Sequence, residues 1–336
     1  MLFFLHRMLI RFLVIICLGS VSTLALAEPP SYYLDRLSHS LKELNYSGDF
    51  TLKTPEGSQS FHLTHAVIDG VEYERLVSLD GKKVELIRHG HDANCIHAGE
   101  KLMRKKPSAE QQKTANSFPS SLIENPELLK DVYKLAMHQG DEIADHPSLK
   151  IALMPRDHYR HSYVFWVEPQ TGFLLKSQMV NRSGRVLEQM QFSELELGSE
   201  LSLENFELES AEQIEHPMRK AMNAAHSNLK QDPNNRMAQL PVKLRWLPTG
   251  FRLTQSGMTS TPHDVYKATY TDGLSAFTLF VDTDQQNRLP SMGKNIGASV
   301  VVVRKLYKQK SILTVTVVGE VPMMTARKVA ASVMMP

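Results

Sequence analysis

Residues 154–197 contain three strand-like stretches, 162–167, 173–180 and 185–195, separated only by Gln170-Thr171-Gly172 and Asn181-Arg182-Ser183-Gly184. Strands this close in sequence pair through tight turns, so the segment predicts an antiparallel meander. In Tyr163-Val164-Phe165-Trp166-Val167 both alternating sets of side chains are apolar, which predicts a strand covered on both faces. Such a sheet has to wrap around something: its own helices, a lipid or a partner peptide. A strongly curved sheet with helices packed into its concave side fits the pattern and points to binding rather than catalysis.

The N-terminus sets the compartment. Residues 1–27 carry Arg7 and Arg11, an apolar core from Phe12 to Leu18, and Ala25-Leu26-Ala27 before Glu28-Pro29, the layout of a cleaved secretory signal. The apolar run is too short for a membrane span, which needs roughly 18 residues. Cys17 lies deep in the apolar region without a small residue before it, which argues against lipidation. The mature chain is expected to be exported. Arg7 and Arg11 are the only charged residues of the segment and account for the whole net charge of +2, so the mature chain is neutral. A neutral surface whose longest basic run is Arg104-Lys105-Lys106 argues against nucleic acid as a partner, since phosphates need clustered Lys and Arg. Only Cys95 survives cleavage, so no internal disulfide forms, and the fold rests on ordinary cores.

Leu34, Leu37, Leu41 and Leu44 recur at helical spacing after Pro30, with Ser31 available as cap and Asp35 in the first turn. Glu56-Gly57, Asp69-Gly70, Asp80-Gly81 and Gly90 then punctuate strands at 60–65, 72–77 and 84–88. Asn125-Pro126-Glu127 starts a helix, with proline where its missing donor matters little. No βαβ alternation appears, which disfavours a nucleotide-binding parallel sheet. The expected organisation is a signal peptide at 1–27, a large β-rich domain at 28–210, a helix and linker at 211–240, and a small α+β domain at 241–336. The small domain shows hairpins at 265–282 and 300–318 and a terminal helix from Pro322 to about Val333.

Catalytic signatures are missing: the chain has no G-x-S-x-G, P-loop, G-x-G-x-x-G or H-E-x-x-H. Ser227-Asn228-Leu229-Lys230 matches S-x-x-K by letters alone. His89, His91, Cys95 and His97 are donor types that zinc accepts. Gly90 suggests a turn among them, and in a chain with 14 histidines such clusters arise by chance. No metal, cofactor or enzymatic activity is expected. Glu194 with Glu196, and Glu207 with Glu209, are read as solubilising strand ends.

Several stretches together carry a resemblance. In the large domain they are Tyr46-Ser47-Gly48-Asp49-Phe50, Pro155-Arg156-Asp157 with Tyr159-Arg160, Phe165-Trp166-Val167, residues 171–177 and residues 184–189. In the small domain they are Trp246-Leu247-Pro248-Thr249-Gly250-Phe251, Tyr270-Thr271-Asp272-Gly273-Leu274, and residues 317–322 with Thr325. In order and spacing the chain resembles the RseB/MucB family of periplasmic regulators of the envelope-stress sigma-E factor. The resemblance implies a mainly β fold: a large domain similar to LolA-type lipoprotein carriers, an incompletely closed antiparallel barrel capped by helices, plus a smaller C-terminal α+β domain. It also implies a partner, the periplasmic region of a single-pass RseA/MucA-like anti-sigma factor. That partner would be shielded from regulated proteolysis and released when lipopolysaccharide or another acylated ligand signals envelope damage. A periplasmic lipid or lipoprotein carrier of the LolA type is the alternative, and a homo-oligomer stays open.

For the lipid-like signal, Phe50, Phe61, Leu63, Phe165, Leu174, Met179, Leu187 and Phe192 are candidates to line an acyl-chain cavity. Simple core packing is the other reading of each. Leu187 and Phe192 differ in parity along one strand, as do Leu174 and Met179, so without a bulge only one of each pair faces inward.

Overall fold

The computed structural model describes residues 28–80, 84–89, 92–97, 126–206, 242–259, 265–282, 290–308 and 311–334. The signal-like segment and the expected helix and linker at 211–240 lie outside them. The first helix, α1 (Pro30–Glu43), buries Leu34, Leu37 and Leu41, as the leucine spacing requires. Its start differs from expectation: Pro29 is the N-cap, no side chain caps it, and Ser31 lies inside the helix. Proline at N1 fixes the helical φ and has no donor to satisfy, so the helix begins two residues earlier than a Ser31 cap would place it. Leu44 ends it rather than extending its stripe.

Ten antiparallel strands follow in two meanders. The first comprises β1 (Tyr46–Thr54), β2 (Gly57–Ile68), β3 (Val71–Ser78), β4 (Val84–His89) and β5 (Asp92–His97). After α2 (Pro126–Val132) the second comprises β6 (Tyr133–Gln139), β7 (Leu149–Pro155), β8 (Ser162–Val167), β9 (Leu174–Val180) and β10 (Val186–Leu197). Their order is β5-β4-β3-β2-β1-β10-β9-β8-β7-β6, an open sheet whose halves are joined by the β1–β10 pairing. The helices cap it, and one hydrophobic core includes Leu34, Leu37 and Leu41 of α1, Leu129 of α2 and the inward side chains of the strands. The β8–β9 turn docks on α1, where Gly172 (φ 77°) leaves no room for a side chain: a Cβ would lie 2.6 Å from that of Arg36.

The two-sided strand is explained by two different coverings. Tyr163, Phe165 and Val167 are buried in the core. Trp166, on the opposite face, is also buried, lying beside Lys176 (4.7 Å from ammonium to ring) and Lys150 (5.1 Å) on the flanking strands. The outer face of β8 is thus shielded by two lysines whose ammonium groups lie over the ring.

The C-terminal sheet has the order β12-β13-β14-β17-β16-β15. Its strands are β12 (Arg252–Thr259), β13 (Val265–Thr271), β14 (Ala276–Asp282), β15 (Met292–Ile296), β16 (Ser299–Lys308) and β17 (Ser311–Gly319), after the two-residue β11 (Lys243–Leu244). Helix α3 (Met323–Ser332) packs on β16 and β17, and β18 (Val333–Met334) pairs with β11. A second core of Phe251, Phe277, Leu279, Val315, Val317, Ala326 and Val329 holds this unit. No helix among the described residues is long and apolar enough to cross a membrane.

Candidate functional site

The two sheets meet along a seam built by three of the short stretches singled out in the sequence. After β7 the chain turns through Asp157, whose Oδ1 accepts the Tyr159 amide at 2.9 Å and Arg160 Nε at 3.2 Å. This aims the guanidinium into the small domain. Arg160 Nη1 donates to Asp272 Oδ2 at 2.6 Å, and Nη2 donates to Asp157 Oδ2 at 2.8 Å and to the Thr249 carbonyl at 2.6 Å. The rings of Tyr133 and Phe251 lie 5.7 and 5.2 Å from the guanidinium carbon. Asp272 is held by its own β13–β14 turn, where Oδ1 accepts the Leu274 and Ser275 amides at 2.9 and 2.7 Å. Tyr133 donates to Asp272 Oδ2 at 3.2 Å, and the Tyr163 hydroxyl meets Ser275 Oγ at 3.1 Å.

Both side chains of the Arg160–Asp272 pair are fully excluded from solvent. Burial opposes the arginine charge, but Asp157 and Asp272 outweigh it and raise its pKa above the usual value. Burial, then the Asp272 charge, push the Tyr133 hydroxyl well above 10, so it remains a donor. The pair forms only in one arrangement of the two domains, because one partner comes from each.

A second contact runs beside it. Tyr159 packs edge-on against Trp246 at 4.8 Å, and Lys328 of α3 lies over both rings, donating to the Tyr159 hydroxyl at 2.7 Å. Thr325 donates to the Tyr159 carbonyl at 2.9 Å. Gly250 (φ 85°) lets the small domain close on the large: a Cβ there would stand 2.7 Å from Val132 Cγ1. His161, only 7 % exposed, is lowered to a pKa of about 4 by burial, against the opposing effect of a hydrogen bond to the Val321 backbone. Its folded pKa lies below its unfolded one, so the unfolded chain takes up a proton first as pH falls from about 6.5 to about 4. Stability should therefore fall across that window by up to about 3 kcal/mol and level off below it. Urea denaturation at pH 7 and 4.5 should show this loss, and His161→Gln should remove most of it.

Next to the seam is an open cleft of about 1000 Å³ walled by both domains. Of the eight cavity candidates only Leu187 lines it. All eight are at most 7 % exposed and belong to the single core of the large domain, where Phe50 stacks on Phe61 at 5.3 Å and meets Phe192 at 5.6 Å. The parity conflicts are resolved by bulges. Register shifts leave Leu187 and Leu175 as extra residues on their strands, so both members of each pair turn inward.

The described members of the histidine and cysteine group do not converge. Asp92 pairs with His89 and His97 with Val84, which puts His89 and His97 at opposite ends of the β4–β5 hairpin, about 16 Å apart at strand rise. Cys95 and His97 share β5, across the hairpin turn from His89, and His91 lies outside the described residues. Among the described residues no group of three or more His, Cys, Asp or Glu is placed to hold a metal.

An open, helix-capped antiparallel sheet clasped to a smaller β-rich domain defines a two-domain binding protein. Residues 29–212 match the model of the MucB/RseB N-terminal domain and residues 237–334 that of the MucB/RseB C-terminal domain; the chain belongs to the MucB/RseB family. It is 30 % identical to the sigma factor AlgU regulatory protein MucB of Pseudomonas aeruginosa, over 91 % of each chain. It is 25 % identical to the sigma-E factor regulatory protein RseB of Haemophilus influenzae, over 93 % of this chain and 94 % of that one. Among solved structures, MucB in complex with MucA(peri) superposes with a TM-score of 0.71 at 27 % identity, covering 91 % of this chain and 98 % of that one. MucB alone gives 0.63 at the same identity, covering 90 % and 97 %. The family is one of periplasmic regulators of sigma-E stress signalling, in keeping with the signal-like N-terminus.

The family-bearing stretches around Arg160, Thr249 and Asp272 therefore come together as one interdomain contact. Arg160 and Asp272 were visible in sequence only as members of those stretches. Their opposite charges were the available signal, and nothing in the spacing joined them.

Proposed function

We propose that this protein binds the periplasmic region of a single-pass membrane anti-sigma factor, shields it from regulated proteolysis, and releases it when a lipid-like signal reports envelope damage. The observation that carries the reading is the likeness, over both domains, to MucB solved as a complex with MucA(peri). The buried Arg160–Asp272 pair supports the same reading, since it holds two domains as one surface. By linkage, a ligand that weakens partner binding is itself bound more weakly in the presence of the partner, by the same factor. An acyl chain directed to the eight core residues has to displace their present packing.

The test is titration calorimetry of residues 28–336 against the periplasmic segment of the host's anti-sigma factor, alone and with lipopolysaccharide. Saturable binding that weakens with the lipid is the expected result. Absence of binding in both conditions would overturn it in favour of a lipid or lipoprotein carrier.

A further inference from the structure

The cleft beside the seam has an unusual lining for a chain whose mature charges balance. Arg156 stands on the β7–β8 loop, and Arg182 and Arg185 stand on the β9–β10 turn at the same end of the sheet. Among the described residues none of the three has an acidic partner within ion-pair distance. The cleft's two carboxylates are already engaged: Asp157 holds Arg160, and Glu56 accepts the Gly297 amide at 2.7 Å. The turn itself is well built. Asn181 Oδ1 accepts the amides of Ser183 and Arg185 at 3.0 and 2.9 Å, so the arginines are presented from an ordered loop. The same cleft is also lined by apolar side chains, Leu187 and Val180 from the large domain and Val300, Val321, Met323 and Met324 from the small one.

Three exposed arginines beside apolar and methionine side chains, in a cleft of about 1000 Å³, match a molecule with an anionic head and a hydrocarbon tail. We propose that this interdomain cleft is a binding site for an anionic amphiphile. Its head is held by Arg156, Arg182 and Arg185, and its tail lies between Leu187 and the start of α3. This rests on the release reading above and gives the ligand a place outside the filled core of the large domain. Because the walls belong to different domains, occupancy bears on their spacing, which is how a ligand there would reach the partner-binding arrangement.

The probe is dodecyl phosphate below its micelle concentration, titrated into residues 28–336, with inorganic phosphate and dodecyl maltoside as the head-only and neutral-head controls. Dodecyl phosphate should bind saturably, and Arg182→Ser/Arg185→Ser should weaken it about tenfold, as expected for losing two charge-assisted contacts. Met324→Glu, an exposed change at the tail end, should weaken it comparably. Unchanged affinity in both variants, or equal binding of inorganic phosphate, would overturn the proposal. The double arginine variant is also titrated with the anti-sigma segment with and without dodecyl phosphate. Partner binding that no longer responds to the amphiphile supports the site, whereas partner binding still displaced as in the wild type sinks it. A wild-type protein that never binds the segment refutes the functional reading instead, whatever the amphiphile does.

Discussion

Replacing Arg160 with methionine should lower the unfolding free energy by about 3–5 kcal/mol, the range for removing one partner of a buried ion pair. The loss comes from the carboxylate left behind. Asp272 would keep its turn amides and the Tyr133 hydroxyl but lose its only described cation, in a place with no solvent access. Asp272→Asn should cost less, because Arg160 retains Asp157 and the Thr249 carbonyl. The double variant Arg160→Met/Asp272→Asn should recover much of the single loss, since neither charge is then stranded. Trp166 and Trp246 are the chain's two tryptophans and lie in different domains, so single-tryptophan variants report the two units separately in urea. In the wild type their transitions should coincide; in Arg160→Met they should separate. Coincident transitions with a loss under 1 kcal/mol would show that the pair does not couple the domains.

Truncating Phe192 to alanine should cost about 3–5 kcal/mol, the range for emptying a large aromatic site in a packed core. Phe192 is 1 % exposed and lies 5.6 Å from both Phe50 and Phe173, so little nearby structure is free to collapse into the gap. Leu187→Ala should cost less, because its side chain borders the cleft and water replaces part of what is lost. The same denaturation experiment, read at Trp166, measures both. A Phe192→Ala loss below 1 kcal/mol would mean the interior is loosely filled and ready to take an acyl chain as it stands.

Much of the architecture was legible because the local signals agreed. The strand at 162–167 was read to the residue, since a continuous apolar run and the Gln170-Thr171-Gly172 turn bounded it. The hairpin expected at 265–282 forms with both outer bounds as read. The missed strands have the opposite character. β15, Met-Gly-Lys-Asn-Ile, is exposed at every position and so carries no buried alternation to detect. β12 has a register shift between Leu253 and Gln255 that breaks its period, and β6 follows directly from α2 with no turn signal between them. The seam was illegible for a different reason. Arg160 and Asp272 are 112 residues apart, and a single charged contact between domains leaves no periodic trace in either. The bulge at Leu187 was anticipated only as a condition, because parity shows that a bulge is needed without showing where it falls.

The strand order of the large sheet has a temporal meaning as well. Each half is a meander of sequence neighbours, yet β1 must pair with β10, joining residues 46–54 to residues 186–197. A chain threaded out of the cytoplasm N-terminus first presents the first meander long before its closing strand arrives. Until then β1 offers an unpaired edge to any other nascent segment, the situation in which non-local β proteins fold slowly and aggregate. The joint that completes the sheet is therefore also the step at which newly exported molecules most need a holding chaperone.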